Sequence, residues 1–110
     1  MTYVFDIDGT ICIKQSKLDS EDYKNAVPLM DRINKVNFLY DEGHNIIYMT
    51  ARGMGRSNNN PMQAIHEFYS FTMNQLNKWG CKYHNLVLGK PAADFYIDDK
   101  GVNDENFFKN

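Results

Sequence analysis

Three short apolar runs, separated by two long amphipathic stretches, constrain this chain more than any other feature. The runs are Tyr3-Val4-Phe5-Asp6-Ile7, Asn45-Ile46-Ile47-Tyr48-Met49 and Asn85-Leu86-Val87-Leu88. Each has the length and the β-branched or aromatic content of a buried strand. Between the first two, Pro28 suits a first helical position, and Leu29, Ile33, Val36 and Tyr40 fall on one helical face. Gly43 can end that helix in the left-handed conformation. Between the second and third, Asn60 is an N-cap candidate with Pro61 behind it, and Gly80 is the stop. The apolar face predicted for this second helix is Ile65, Phe68, Tyr69, Leu76 and Trp79. A fourth run, 94–97, reads as another strand. Strand and helix alternation with near-continuous apolar strands predicts an α/β domain, a parallel sheet covered by helices. All strands then point one way, and a ligand binds beyond their carboxyl ends.

The remaining segments are less regular. Residues 9–25 are polar and read as a loop or small flap, and Gly101 to Asn110 as one helical turn packed by Phe107 and Phe108. With 110 residues the chain is expected to be a single domain, 1–110, because two halves would each be too small for a core. Its 43% hydrophobic content supports a packed interior rather than disorder. The net charge of -2 gives no reason to expect a nucleic-acid or membrane-surface partner. No apolar run approaches the ~18 residues of a membrane span, and no leader pattern precedes Tyr3. Cys12 and Cys81 lack any paired spacing, so free thiols in a reducing cytoplasm are expected.

The ends of the four runs carry the chemistry. Asp6-Ile7-Asp8-Gly9-Thr10 follows the first, Thr50-Ala51-Arg52-Gly53 the second, Lys90-Pro91 the third and Asp98-Asp99 the fourth. In a parallel sheet these motifs meet at one edge. A strand end holds Asp6 for in-line attack on phosphorus, giving an aspartyl-phosphate. Asp8 can protonate the departing oxygen and later take a proton from water. Thr50 would donate to one phosphoryl oxygen, and Lys90 would neutralise another while keeping the nucleophile ionised. Asp98 and Asp99 with Asp6 and Asp8 would place four carboxylates in one crevice. Two like charges 4 Å apart repel by ~4 kcal/mol at an effective dielectric near 20. A divalent cation relieves that conflict, and an all-oxygen set favours magnesium over zinc.

In order and near-usual separation these four motifs resemble those of the haloacid dehalogenase-like (HAD) hydrolase superfamily, across residues 3 to 99. The resemblance implies a Rossmann-like three-layer sandwich with a mainly parallel central sheet. It also implies a magnesium-dependent phosphatase acting on a phosphate monoester; the resemblance fixes no substrate, and sugar phosphates, the favoured class, stand beside nucleotides and phosphorylated glycan intermediates. Asp6 would be the nucleophile, Asp8 the general acid/base, and Thr50 and Lys90 the phosphate holders. Asp98 would join Asp6 and the Asp8 backbone carbonyl around magnesium, with Asp99 in support. Dehalogenase members lack the second aspartate that Asp8 supplies. The stretches Thr-Ala-Arg-Gly and Gly-Lys-Pro-x-Ala-Asp-x-Tyr-Ile-Asp-Asp resemble short members associated with capsule or surface-polysaccharide genes. No cap domain fits between the motifs, so the flap, residues 52–60 or a second subunit in a homodimer would have to contact substrate.

Arg52 and Arg56 match the geometry of a substrate carboxylate or second phosphate, against the bland reading of solvated loop residues. His44, His66 and His84 lack metal-ligand spacing, so surface or packing roles are expected. Two rivals to hydrolysis stand beside it: phosphoryl transfer to a second substrate, and a non-catalytic binding protein that keeps the fold.

Overall fold

A computed structural model describes residues 1–13, 23–55 and 57–109. The elements in chain order are β1 (Thr2–Phe5), β2 (Cys12–Ile13), a 3-10 turn (Tyr23–Asn25), β3 (Val27–Pro28), α1 (Met30–Asp41), β4 (Asn45–Thr50), α2 (Pro61–Lys78), β5 (Asn85–Leu88) and α3 (Asp104–Phe107). Nine residues of the expected flap, 14–22, and Arg56 lie outside the described residues.

β1, β4 and β5 form a parallel sheet in that spatial order. Tyr3 pairs with Ile46 and Phe5 with Tyr48, while Tyr48 pairs with Leu86 and Thr50 with Leu88. Each crossover steps one place in the same direction, and right-handed crossovers then put α1 and α2 on one face. The core agrees: Phe5, Ile46, Tyr48, Leu86 and Leu88 pack with Ile33 and Val36 of α1 and Leu76 of α2. Phe107 and Phe108 complete this layer, as the one-turn tail predicts. Phe107 meets Phe5 edge to face at 5.4 Å, and Lys35 donates to the Phe107 carbonyl at 2.9 Å. The alternate row, Val4, Ile47, Met49 and Val87, points the other way, with Val4 57% and Val87 40% exposed. The protein is therefore mixed α/β with a helix-covered parallel sheet. Among the described residues no helix lies against that second row.

Several elements differ from the sequence expectation. The first strand ends at Phe5 rather than Ile7, because Gly9 (φ +85°) and a tight turn, with Thr10 and Ile11 N–H both donating to the Ile7 carbonyl, draw the chain aside. Pro28 does not open α1. It sits in the two-residue ladder of β3 against Cys12 of β2, and the helix begins two residues later at Met30. Such a short edge tolerates a residue without an N–H. α2 begins as expected, with the Asn60 side chain accepting from the Met62 and Gln63 amides at 3.1 and 3.3 Å. Its buried face is rotated, however: Ala64, Thr72 and Leu76 are buried with Phe68 partly so, whereas Ile65 is 42% and Tyr69 37% exposed. The buried row therefore follows strict four-residue spacing through a small and a polar side chain, which apolar periodicity alone does not pick out.

The fourth strand is the largest correction. Residues 94–97 form no strand, and Phe95 and Ile97 stand 83% and 99% exposed. The cause is where the preceding residues are held. The Lys90 amide donates to the carbonyl of Thr50, the last residue of β4 (3.2 Å), and the Ala92 amide to Asn59 Oδ1 in the loop that follows (3.0 Å), so both are held at the carboxyl end of the sheet. A parallel strand must start at the opposite end of the sheet, about 13 Å away for four residues of strand. Ala93 alone cannot cover that distance.

Candidate functional site

The carboxyl ends of β1, β4 and β5 bring Asp6, Asp8, Thr50, Arg52 and Lys90 to one edge. Asp6 follows the last residue of β1, and the Lys90 ammonium lies 3.7 Å from its Oδ1, an ion pair longer than a hydrogen bond. Burial pushes the Asp6 carboxyl above its ordinary value. The Lys90 charge and the Ile7 amide pull it down by less, and neighbouring Asp8 adds to the rise. Lys90 also lies over the Tyr96 ring, 4.4 Å from its centroid.

Asp8 is held differently. Both of its oxygens accept from Arg52, Oδ2 from Nε at 2.9 Å and Oδ1 from Nη2 at 3.0 Å. This fork-to-fork arrangement is the strongest pairing the two groups can make. The Arg52 side chain is fully buried while Asp8 keeps 19% exposure. Arg52 Nη1 donates to Thr72 Oγ1 at 3.3 Å, and the guanidinium stacks 4.6 Å from the Tyr23 ring. Arg52 is thus neither a solvated loop residue nor, in this arrangement, a guanidinium turned to an outside ligand. Gly53 next to it needs φ +79°, and a side chain there would strike the Phe68 ring at 2.6 Å. That close approach seats the loop on α2 and drives Arg52 inward.

Thr50 ends β4 and is buried; its Oγ1 accepts from the Arg52 amide at 3.1 Å, leaving its own hydrogen to donate. The Cys12 thiol, 3.5 Å from Asp8 Oδ1, is pushed up to about 12 by burial, which removes it as a nucleophile. Asp98 and Asp99 do not join this group. Both are exposed, and Asp98 accepts from the Lys100 amide at 2.9 Å, which holds its carboxyl below the ordinary value. They line an open concavity with Pro91, Ala93, Phe95, Tyr96 and Ile97. Among the described residues, no three His, Cys, Asp or Glu side chains cluster as a metal site. The expected carboxylate set for magnesium is therefore not assembled in this arrangement, and no catalytic step can be derived through a metal from it.

The sequence reading missed Thr72, Tyr23 and Tyr96 as partners of site residues. Thr72 had a signal: it is the one polar member of the row Ala64, Phe68, Thr72, Leu76, and a polar side chain on a core face needs a buried partner. Tyr23 and Tyr96 had none, since their contacts depend on how loops return to the sheet.

No known family model matches the chain, and no curated protein matches it. Among solved structures, the crystal structure of a target protein from Vibrio cholerae superposes with a TM-score of 0.84 at 27% identity. The match covers 98% of this chain and 87% of that one, and the description of that protein states no activity. The likeness supports the α/β fold. Among the described residues, no helix is long and apolar enough to cross a membrane.

Proposed function

We propose that this protein is a phosphoric monoester hydrolase of the HAD type, working through an aspartyl-phosphate on Asp6. The observation that carries the reading is the Asp6–Lys90 pair. Two residues 84 positions apart meet at the carboxyl edge of a parallel sheet, one an acid whose pKa burial raises and the other a cation 3.7 Å from it. A poorly solvated carboxylate is the better nucleophile, and the ammonium keeps it ionised while drawing in a phosphoryl oxygen. An Asp6 oxygen would bond to phosphorus as the P–O bond to the ester oxygen breaks, and the departing oxygen would take a proton from Asp8. Water would then cleave the acyl phosphate, regenerating Asp6 and releasing inorganic phosphate. Asp8 would recover that proton from the water at Oδ2, where Arg52 Nε fills one of two acceptor sites, whereas Oδ1 already accepts from Arg52 and the Cys12 thiol. Thr50, through its free hydroxyl hydrogen, would orient the phosphoryl group. The Rossmann-like three-layer core and the cytoplasmic location belong to the same reading, as does a magnesium requirement. For the last, the support is the motif order alone, because Asp98 and Asp99 stand apart from Asp6 and Asp8.

The test is turnover of an aryl phosphate with and without magnesium, in the parent protein and in Asp6→Asn. The expected result is magnesium-dependent release of phosphate that falls at least 10³-fold in Asp6→Asn, whose circular dichroism is unchanged. Undiminished turnover in Asp6→Asn removes Asp6 as nucleophile. A second reading, a binding protein without turnover, is favoured by one observation: the surface position of Asp98 and Asp99. Phosphate binding without turnover across a broad ester panel would select it. Sugar acceptors added to the same assay separate transfer from hydrolysis, since only transfer yields a new ester.

A further inference from the structure

The backbone alone does not aim Asp8. β1 ends at Phe5, and Asp8 bridges to Cys12 across the tight turn at Gly9 (φ +85°). Its charge nevertheless adds to the rise at Asp6, so the two carboxyls lie close. What fixes the Asp8 carboxyl is Arg52, 44 positions away, with Nε on Oδ2 at 2.9 Å and Nη2 on Oδ1 at 3.0 Å. We propose that Arg52 is a positioning residue of the reaction, acting through Asp8 by presenting Oδ2 to the ester oxygen. The inference rests on the hydrolase reading above.

The fork leaves the two carboxylate oxygens unequal. Oδ1 accepts from Nη2 and from the Cys12 thiol at 3.5 Å, which fills both of its acceptor sites. Among the described residues Oδ2 accepts from Nε alone, so its second site is where a transferred proton can sit. Arg52 is itself held firmly. Its side chain is fully buried, Nη1 donates to Thr72 Oγ1 at 3.3 Å, and the guanidinium lies 4.6 Å from the Tyr23 ring and 5.9 Å from the Phe71 ring. A planar fork fixed in this way transmits its orientation to the carboxylate it grips. The main chain of the same residue also places the phosphate holder, since its amide donates to Thr50 Oγ1 at 3.1 Å. Replacing the side chain removes no atom of that bond, so variants at position 52 probe the Asp8 arm. As the Asp6 oxygen bonds to phosphorus and the P–O bond breaks, the proton on Oδ2 passes to the departing oxygen, and water later returns one. That transfer matters most where the departing oxygen is basic, as in an alkyl ester, and little where it leaves as nitrophenolate.

Hydrolysis of glycerol phosphate, phenyl phosphate and nitrophenyl phosphate by the full chain with magnesium tests the inference. Arg52→Lys keeps the charge but replaces the fork with a single point contact. Its kcat/KM should fall about 100-fold on glycerol phosphate and less than about 3-fold on nitrophenyl phosphate, with phenyl phosphate between them. On nitrophenyl phosphate kcat and KM should fall together behind a burst of nitrophenol, because only the water step has slowed. Asp8→Asn should give the same ordering, and adding Arg52→Lys to it should change kcat/KM by less than about 3-fold. Thr72→Val removes one support of the guanidinium and leaves the pair; it should give the same ordering more weakly, and it carries the test if Arg52→Lys does not fold. An even loss across the three esters, or losses that multiply in the double variant, would confine Arg52 to supporting the fold and overturn the inference while hydrolysis stands. A parent active on nitrophenyl phosphate alone also overturns it, since Asp8 then delivers no proton. A parent that leaves all three esters intact overturns it together with the hydrolase reading.

Discussion

Replacing Arg52 with methionine keeps most of the side-chain length and removes the guanidinium, which makes it the sharpest probe of the site's construction. The parent buries that group completely, with two bonds to Asp8, one to Thr72 and a stacking contact on Tyr23. Breaking a buried pair by deleting one partner costs ~3–5 kcal/mol, because the other charge is left uncompensated. Asp8 retains 19% exposure and can recover some hydration, so the lower end, about 3 kcal/mol, is expected. At ~4–6 °C per kcal/mol for a domain of this size, the melting temperature should fall by roughly 12–18 °C. Urea unfolding followed by Trp79 fluorescence and far-ultraviolet circular dichroism gives the free energy directly. A double-mutant cycle with Asp8→Asn isolates the pair: the double variant should be more stable than the sum of the single losses allows, by ~2 kcal/mol. A loss below about 1 kcal/mol in Arg52→Met, or a coupling near zero, would refute the buried pair and return Arg52 to the role of an open loop residue.

Two further outcomes follow from burial at the same edge. The folded pKa of Asp6 is raised above its ordinary 3.8, so the folded state holds that proton more tightly than the unfolded state. Stability is therefore lost as pH rises through the raised value, and Asp6→Asn, which cannot ionise, escapes the loss. The variant should melt close to the parent near pH 3 and a few degrees higher near pH 7; a lower melting temperature near pH 7 would contradict the desolvated carboxyl. The thiols of Cys12 and Cys81, pushed up to about 12 and about 11 by burial, should resist a disulfide-exchange reagent near pH 8 in the native protein and both react in urea. Rapid labelling before unfolding would show that one of them is open to solvent.

The features legible in the sequence are those decided within a few residues. Asn60 caps α2 because its own side chain reaches the amides two and three places on, and Gly43 and Gly80 take φ +96° and +77° where the helices stop. The strand cores at Tyr3–Phe5, Ile46–Met49 and Leu86–Leu88 were readable for the same reason: an uninterrupted apolar run of that length has few other uses. The α2 face was not readable to the residue, since a buried alanine and threonine carry no hydrophobic signal. Nor was the fate of Phe95-Tyr96-Ile97, whose composition is that of a core strand and whose position is set by two preceding amides, one donating to the Thr50 carbonyl of β4 and one to the Asn59 side chain in the following loop.

By itself, then, the sequence determined the α/β alternation, where the helices stop, and which acids and bases sit at the ends of the apolar runs. The tertiary structure decided which of those groups meet. Asp6 finds Lys90, Asp8 finds Arg52 across 44 positions, and Asp98 and Asp99 find solvent. The physical reason is range. Caps and strand propensity act over a turn or two, whereas an ion pair across a sheet edge depends on the path the intervening backbone can take.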